Sequence, residues 1–103
     1  YFGNYYPLTP ASTSPRDWCA MQYHRSAEQD GMIVAFRRHE SPAASLPCTL
    51  FEIDPQARYA ITKYITYDPS EPVATTGKEF RNSTLIIEEC PGSLIIEYQK
   101  IKP

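Results

Sequence analysis

The sequence has no cluster of positive charge and no long apolar run. Its 103 residues include ten Lys and Arg against twelve Asp and Glu, a formal net charge of −2, and the longest basic run is Arg37-Arg38. Nucleic acids and anionic lipid surfaces bind clustered positive charge, so neither is an expected partner. No apolar stretch approaches the ~20 residues that a membrane-spanning helix needs, so no membrane association is expected either.

Glycine and cysteine are also scarce. The four glycines are scattered, which excludes a glycine-rich phosphate loop. Cys19, Cys48 and Cys90 are too widely spaced for a metal box or a disulfide framework, and neither histidine adds a ligand spacing. We therefore expect no cofactor and no metal, and small buried or half-buried thiols, with one disulfide plus a spare thiol as the alternative. Unpaired thiols favour a cytoplasmic location, with periplasmic or secreted locations as alternatives.

Helical patterns are missing, and strand patterns dominate. Ten prolines are spread along the chain, and no window shows a helical period. Short runs rich in β-branched and aromatic residues alternate with turn signals. These predicted strands cover 18–24, 31–38, 48–53, 58–67, 83–89 and 93–101. The pattern predicts an all-β antiparallel sandwich of about six to eight strands.

Two runs carry more specific expectations. Met32–Phe36 is continuously apolar, which is typical of a central strand covered on both faces. Pro91-Gly92 is the pair expected in the middle of a type II turn. The runs on either side of that turn are therefore predicted to form an antiparallel hairpin.

The residues that could carry chemistry do not form a recognisable catalytic set. A glycosidase needs two carboxylates facing each other across a cleft, and a cysteine nucleophile needs a base oriented towards it. Nothing orients a histidine towards Cys19 or Cys48. The available carboxylates fall in predicted turns or on polar strand faces, where solvation is the expected role. They are Asp17, Glu28, Asp30, Glu52 and Glu88.

Aromatic residues are in excess, and several lie near the start of the chain. The stretch GNYYPLTPASTSPRDW, residues 3–18, is aromatic, rich in proline and uncharged until Arg16. Such a segment at the start of a chain without an initial Met suggests a piece of a longer protein. Most aromatics are expected in a core or at a domain seam. Exposed rings can also stack on sugars, and Trp18, Tyr23 and Tyr64 are the candidates for that role.

Most of the chain resembles one known family. Residues 3–25, the AFRR strand, LFEIDPQARYAITKY, TGKEF and the closing SLIIEYQKI are similar, in this order, to the C-terminal domain of family 36 glycoside hydrolases, the α-galactosidase group. YYPLT followed by Trp18, Gln22 and AFRR is the most specific part of the likeness. The segment Glu40–Pro47 departs from the family pattern and is expected to be a variable connection.

The resemblance implies a non-catalytic accessory domain. The family's retaining catalysis belongs to a (β/α)8 barrel with two aspartates, and the motifs around those aspartates are absent here, so no catalytic residue is assigned. The implied division is a bridge from an upstream barrel over residues 1–17 and a C-terminal β-sandwich over 18–103. The implied partner is the barrel of the same chain. The implied parent protein is an α-galactosidase, and it could be a homo-oligomer, as members of that family often are. The expected contact residues are Tyr5, Tyr6, Pro7, Leu8 and Trp18.

Two other function classes stay open at this stage. A carbohydrate-binding module would recognise galactosides through exposed aromatic rings. A free-standing hydrolase would turn over an aryl α-galactoside without any partner domain. Saturable sugar binding by the isolated chain favours the first, and activity that purifies with the chain favours the second.

Overall fold

The computed structural model describes residues 3–9, 17–65, 68–69, 72–88 and 92–101, with backbone alone at 65 and 68–69. Most of the described residues lie in strands, and the one helix among them has five residues. The strands are β1 (Asn4–Pro7), β2 (Trp18–Arg25), β3 (Asp30–Arg37), β4 (Ser45–Thr49), β5 (Arg58–Ile65), β6 (Asp68–Pro69), β7 (Val73–Thr76), β8 (Asn82–Ile86) and β9 (Gly92–Ile101), and the helix is α1 (Gly77–Arg81). The all-β prediction is confirmed.

The strands form two antiparallel sheets that face each other. The large sheet has seven strands in the order β1-β2-β3-β9-β5-β6, and β7 also pairs with β5. The small sheet consists of β4 and β8 and covers one side of the large sheet. We call the covered side of the large sheet its inner face and the opposite side its outer face. The sandwich architecture expected from the sequence is therefore present.

The core lies between the two sheets. Along β2 and β3, buried residues alternate with half-buried or exposed ones, the period-two pattern of a sheet with one protected face. The side chains of Ile33 and Tyr59 on the large sheet have no exposed surface, and Leu85 of the small sheet is almost as buried. No helix in the described part of the chain is long and apolar enough to cross a membrane.

The predicted hairpin of the last two strands is wrong. β8 pairs with β4 in the small sheet, whereas β9 pairs with β3 and β5 in the centre of the large sheet. The two runs are adjacent in sequence, but each contributes its buried leucines to an opposite side of the core. The predicted turn at Pro91 lies outside the described residues.

The short helix and the first part of β4 lie outside the strands predicted from the sequence. Thr76 caps α1 by accepting a hydrogen bond from the Glu79 amide at 3.2 Å, and the helix places Phe80 in the core. β4 begins at Ser45, inside the predicted connection 40–47, and ends at Thr49. The predicted strand over 48–53 is therefore displaced towards the N-terminus.

Part of the predicted bridge is a strand of the sandwich. β1 pairs with β2 over four residues and forms one edge of the large sheet. Its pairing is extended by a hydrogen bond from the Leu8 amide to the Ala20 carbonyl, 2.9 Å long. Residues 4–8 therefore belong to the sandwich rather than to a separate linker. Residues 1–2 and 10–16 of the predicted bridge lie outside the described residues.

Candidate functional site

The central strand of the large sheet is apolar on both sides, yet the described structure covers only its inner side. Ile33 and Ala35 of β3 are fully buried against the small sheet. On the outer side, Met32 and Val34 are half-buried and Phe36 is 45% exposed. The predicted burial of β3 on both faces is thus incorrect within the described residues, because no described element packs over the outer face.

Neighbouring strands extend this apolar surface across the sheet. The strand registers place one continuous apolar and aromatic row along five strands, made of Pro7, Met21, Val34, Ile95 and Tyr64. Residues beside this row complete a surface that we call the outer patch. The outer patch consists of the row together with Tyr5, Cys19, Tyr23, Met32 and Phe36.

The small sheet provides an internal comparison. Its own solvent-facing side carries mostly polar residues, as a face in contact with water normally does. These residues are Ser45, Pro47, Thr49, Asn82, Thr84 and Ile86. The outer patch is therefore not a general property of this sandwich, but a feature of one face of the large sheet.

A polar border closes one end of the outer patch. Arg25 and Asp30 form a two-pronged pair there, with Nε–Oδ1 and Nη2–Oδ2 distances of 2.8 and 2.5 Å. Glu97 and Gln99 continue this border along β9. An apolar centre with a polar rim is the usual composition of a protein–protein interface.

Several predicted site residues meet in the outer patch. Tyr5 is 54% exposed, and its ring lies 5.3 Å from the ring of Tyr23 across the β1–β2 pair. Tyr64 lies on the other side of the patch, where its hydroxyl donates to Glu97 Oε2 at 3.4 Å. Pro7 joins the central row. The structure therefore brings together residues that the sequence suggested for two different roles.

Tyr6 points to the opposite side of β1. Its ring stacks on Phe51 with a centroid distance of 4.7 Å, and its hydroxyl donates to Glu52 at 2.5 Å. Glu52 also accepts hydrogen bonds from Ser26 and Asn4. The bond to Tyr6 lowers the pKa of Glu52 and raises the pKa of Tyr6. Tyr6 thus fixes the edge strand within the sandwich instead of pointing into the outer patch.

Trp18 belongs to the core. Its side chain is 6% exposed, and its indole N–H donates to the Ala43 carbonyl at 2.9 Å. The ring is therefore not available to stack on a sugar or to line a contact with another domain. Leu8 is half-buried and packs against the same core. Both residues were predicted to contact another domain. Trp18 does not, because it occupies one of the positions of β2 that face the core.

A buried polar network was not predicted from the sequence. The Tyr98 hydroxyl accepts a hydrogen bond from Gln22 Nε2 at 2.9 Å and lies 2.8 Å from His24 Nδ1. Gln22 also donates to the Phe51 carbonyl, and its Oε1 accepts from the Phe51 amide, each at 2.8 Å. The available signal was that Gln22 and His24 occupy inward positions of β2, in register with Trp18 and Ala20. The network joins β2 and β9 to the segment that follows β4, and it positions no reactive group at a surface.

His24 is expected to make stability depend on pH. Burial lowers its pKa below the ordinary value despite the opposing charges of Glu52 and Asp30, and Nε2 has no partner among the described residues. The unfolded chain takes up a proton near pH 6.5 and the folded chain resists it. The melting temperature is therefore expected to be constant above about pH 7 and to fall as the pH drops through 6.5 to 5. Thermal melts of the unmutated 103-residue chain and of His24→Gln test this. The melting temperature of the variant should depend less on pH between 6.5 and 5. Equal pH dependence of the two chains would contradict a role for His24.

Three of the candidate carboxylates have partners within the described residues. Asp30 and Glu52 are held by the hydrogen bonds described above, and Glu28 lies 4.0 Å from Arg25. Cys19 and Cys48 are free thiols, and burial raises the pKa of Cys48. Among the described residues, no three metal-ligating side chains come together.

Comparisons with known proteins add no relative. No family model, no curated protein and no solved structure matches this chain.

Proposed function

We propose that this chain is a non-catalytic accessory domain that packs through its outer patch against a larger folded domain. The resemblance of its sequence to family 36 glycoside hydrolases indicates the catalytic (β/α)8 barrel of the same protein as that domain, and an α-galactosidase as the parent. In this proposal the chemistry takes place in the barrel, and the sandwich stabilises it.

One observation carries the proposal. β3 has the composition of a strand buried on both faces, and only its inner face is covered within the described chain. The apolar row across five strands makes this a continuous surface rather than a set of isolated side chains. Fully burying one exposed Val or Ile contributes ~1.5–3 kcal/mol. Val34 and Ile95 are partly buried already, so a domain seated on them would gain a fraction of that amount from each, summed over the whole patch.

Ile95→Lys is expected to act differently in two settings. Ile95 lies in the central row and is 37% exposed, so a lysine there should change the melting temperature of the 103-residue chain by no more than ~2–4 °C. In the full protein encoded by the gene, the same change buries a charge at the seam. It should lower the melting temperature by several degrees and the yield of active α-galactosidase. Differential scanning calorimetry of both forms provides the measurement.

Ile86→Lys is the matched control. Ile86 is the same residue type, is 55% exposed and lies on the solvent-facing side of the small sheet. It should leave the melting temperature of both forms unchanged. If Ile95→Lys and Ile86→Lys have equal effects in the full protein, the outer patch is not the seam. If the full protein lacks a barrel, the α-galactosidase assignment fails, whatever the patch contacts.

The second candidate is a carbohydrate-binding module, which the tyrosines of the outer patch favour. Tyr23 and Tyr64 are separated by β3 and β9, or ~14 Å across the sheet, so a ligand spanning both must be an oligosaccharide. Calorimetric titration of the 103-residue chain with melibiose, raffinose and galactomannan distinguishes the candidates. Binding of galactomannan that Tyr23→Ala and Tyr64→Ala both abolish would replace the accessory-domain proposal.

A further inference from the structure

One strand edge of the sandwich lacks the protection that the others have. Exposed edges invite pairing with other chains, and proteins block them with proline, charge or short strands. In the described structure the edge strands β1, β4 and β6 each contain a proline, at Pro7, Pro47 and Pro69. β7 has four residues, follows Pro72 and runs directly into α1. β8, with the sequence NSTLI, contains neither proline nor a charged residue.

The hydrogen-bond pattern shows which backbone groups face that edge. The Ile87 amide donates to Ala44 and the Leu50 amide donates to Arg81, so odd-numbered residues of this segment bond to β4. The amides and carbonyls of the alternate residues therefore point away from β4. In the described chain, β8 has no strand partner on that side. Within the described residues, the groups open to a partner belong to Thr84 and Ile86, because the Asn82 amide closes the last turn of α1.

In β4 the same alternation places Pro47 on the free edge, where it removes the central donor. Pro7 occupies the equivalent position in β1, because the neighbouring Leu8 amide bonds to β2. Both prolines therefore block their edges without breaking a ladder bond. The contrast makes the open edge of β8 a specific feature.

A cleft of about 350 Å³ lies beside this open edge. Its apolar walls are Leu85 of β8, Ile87 just after β8, and Leu94 and Ile96 of β9. Lys63, an exposed residue of β5 opposite Ile96 in the large sheet, supplies a positive charge. The volume lies at the lower end of the ~300–1,000 Å³ that is usual for ligand pockets.

We propose that β8 is a strand-addition site for an extended peptide segment. The segment would pair with the free backbone groups of Thr84 and Ile86 and add a third strand to the small sheet. Its alternate side chains, opposite Leu85 and Ile87, would enter the cleft. One of these inward side chains should be apolar, to match the walls of the cleft. The inward side chain two residues along the peptide should be acidic and lie next to the Lys63 ammonium rather than next to Glu88.

A second copy of the sandwich does not fit this site. In antiparallel edge pairing, the inner faces of both small sheets lie on the same side. Each copy would bring its own large sheet beneath its β8. That space is already occupied by β5 and β9, which extend below the open edge as the floor of the cleft. The space admits a single extended strand, which is why we assign a peptide and not a dimer.

A phage-displayed library of random heptapeptides, panned on the 103-residue chain, provides the probe. We expect the enriched peptides to carry an apolar residue and an acidic residue two positions apart, so that both side chains face the cleft. Their affinity, measured by fluorescence anisotropy, should fall about tenfold or more in Thr84→Pro, which removes the central donor of the edge. Thr84→Val keeps that donor, and its affinity for the peptides should be within about twofold of that of the unmutated 103-residue chain. Lys63→Glu should reverse the preference for the acidic residue.

The peptide itself offers a test that does not depend on the folding of Thr84→Pro. Methylating the backbone nitrogens that face β8 should abolish binding, and methylating the alternate nitrogens should preserve it. The absence of any enriched peptide would overturn the proposal. Peptides that bind Thr84→Pro and the unmutated chain with equal affinity would also overturn it. Peptides that lose affinity only for Ile95→Lys bind the outer patch instead of β8, and they too would overturn the proposal.

Discussion

Gly31→Ala is expected to destabilise the chain by about 3 kcal/mol, the upper part of the range for overpacking. A Cβ added at Gly31 overlaps the backbone carbonyl oxygen of Tyr23 and the hydroxyl of Tyr98, and it lies 2.6 Å from Cζ of the Tyr98 ring. The carbonyl belongs to the adjacent strand of the sheet, so it cannot move without disturbing the β2–β3 ladder. Gly31 therefore leaves the space through which Tyr98 reaches His24.

Urea unfolding and thermal melting measure this effect. A loss of about 3 kcal/mol corresponds to ~12–24 °C in melting temperature for a domain of this size. Strand propensity alone predicts the opposite sign, because glycine inside a strand is ~0.5–1 kcal/mol less favourable than alanine. A more stable Gly31→Ala variant would show that propensity dominates and that the Tyr98 ring can move away.

Tyr98→Phe is expected to cost about 2 kcal/mol, or ~8–16 °C in melting temperature. The substitution keeps the ring contacts with Tyr59 and Phe80 and removes only the hydroxyl. Without it, His24 Nδ1 loses its hydrogen-bond partner in a fully buried position, whereas Gln22 keeps its bonds to Phe51. The cost is therefore the desolvation of the His24 ring nitrogen rather than a loss of packing.

Tyr64→Phe is the control for this experiment. Its hydroxyl makes a 3.4 Å contact with Glu97 at an exposed position, so its removal should change stability by less than ~0.5 kcal/mol. Chemical denaturation of both variants separates the buried hydroxyl from the exposed one. Equal effects would mean that the Tyr98 network makes no net contribution to folding.

The strands were predictable where local pattern decides them. In β9 the alternation follows directly from residue type, because Leu94, Ile96 and Tyr98 point to the core. In β2 residue type misleads, because the polar Gln22 and His24 are buried while Met21 faces outwards. Pairing was less accessible, because nothing in the local sequence states that β8 joins β4 while β9 enters the large sheet. The choice depends on which arrangement buries Leu85 and Leu94 on facing sides of one core.

The candidate site was predictable in composition and not in placement. Tyr5 and Pro7 were expected at a contact surface, and the structure places both at the outer face, beside Tyr23. Tyr6 and Trp18 came from the same short stretches, but they face inwards. The β1–β2 register, in which adjacent residues point to opposite sides, separates them, and that register is a tertiary property.

The sequence by itself determined that this chain is an all-β protein with an excess of apolar strand residues, because strand period and residue preference are local properties. It also set the composition of β3, a strand that is apolar on both sides. Only the tertiary structure decided which face the small sheet covers and which edges proline blocks. Those outcomes depend on contacts between residues far apart in the chain, and they determine where an outer patch and an open strand edge are found.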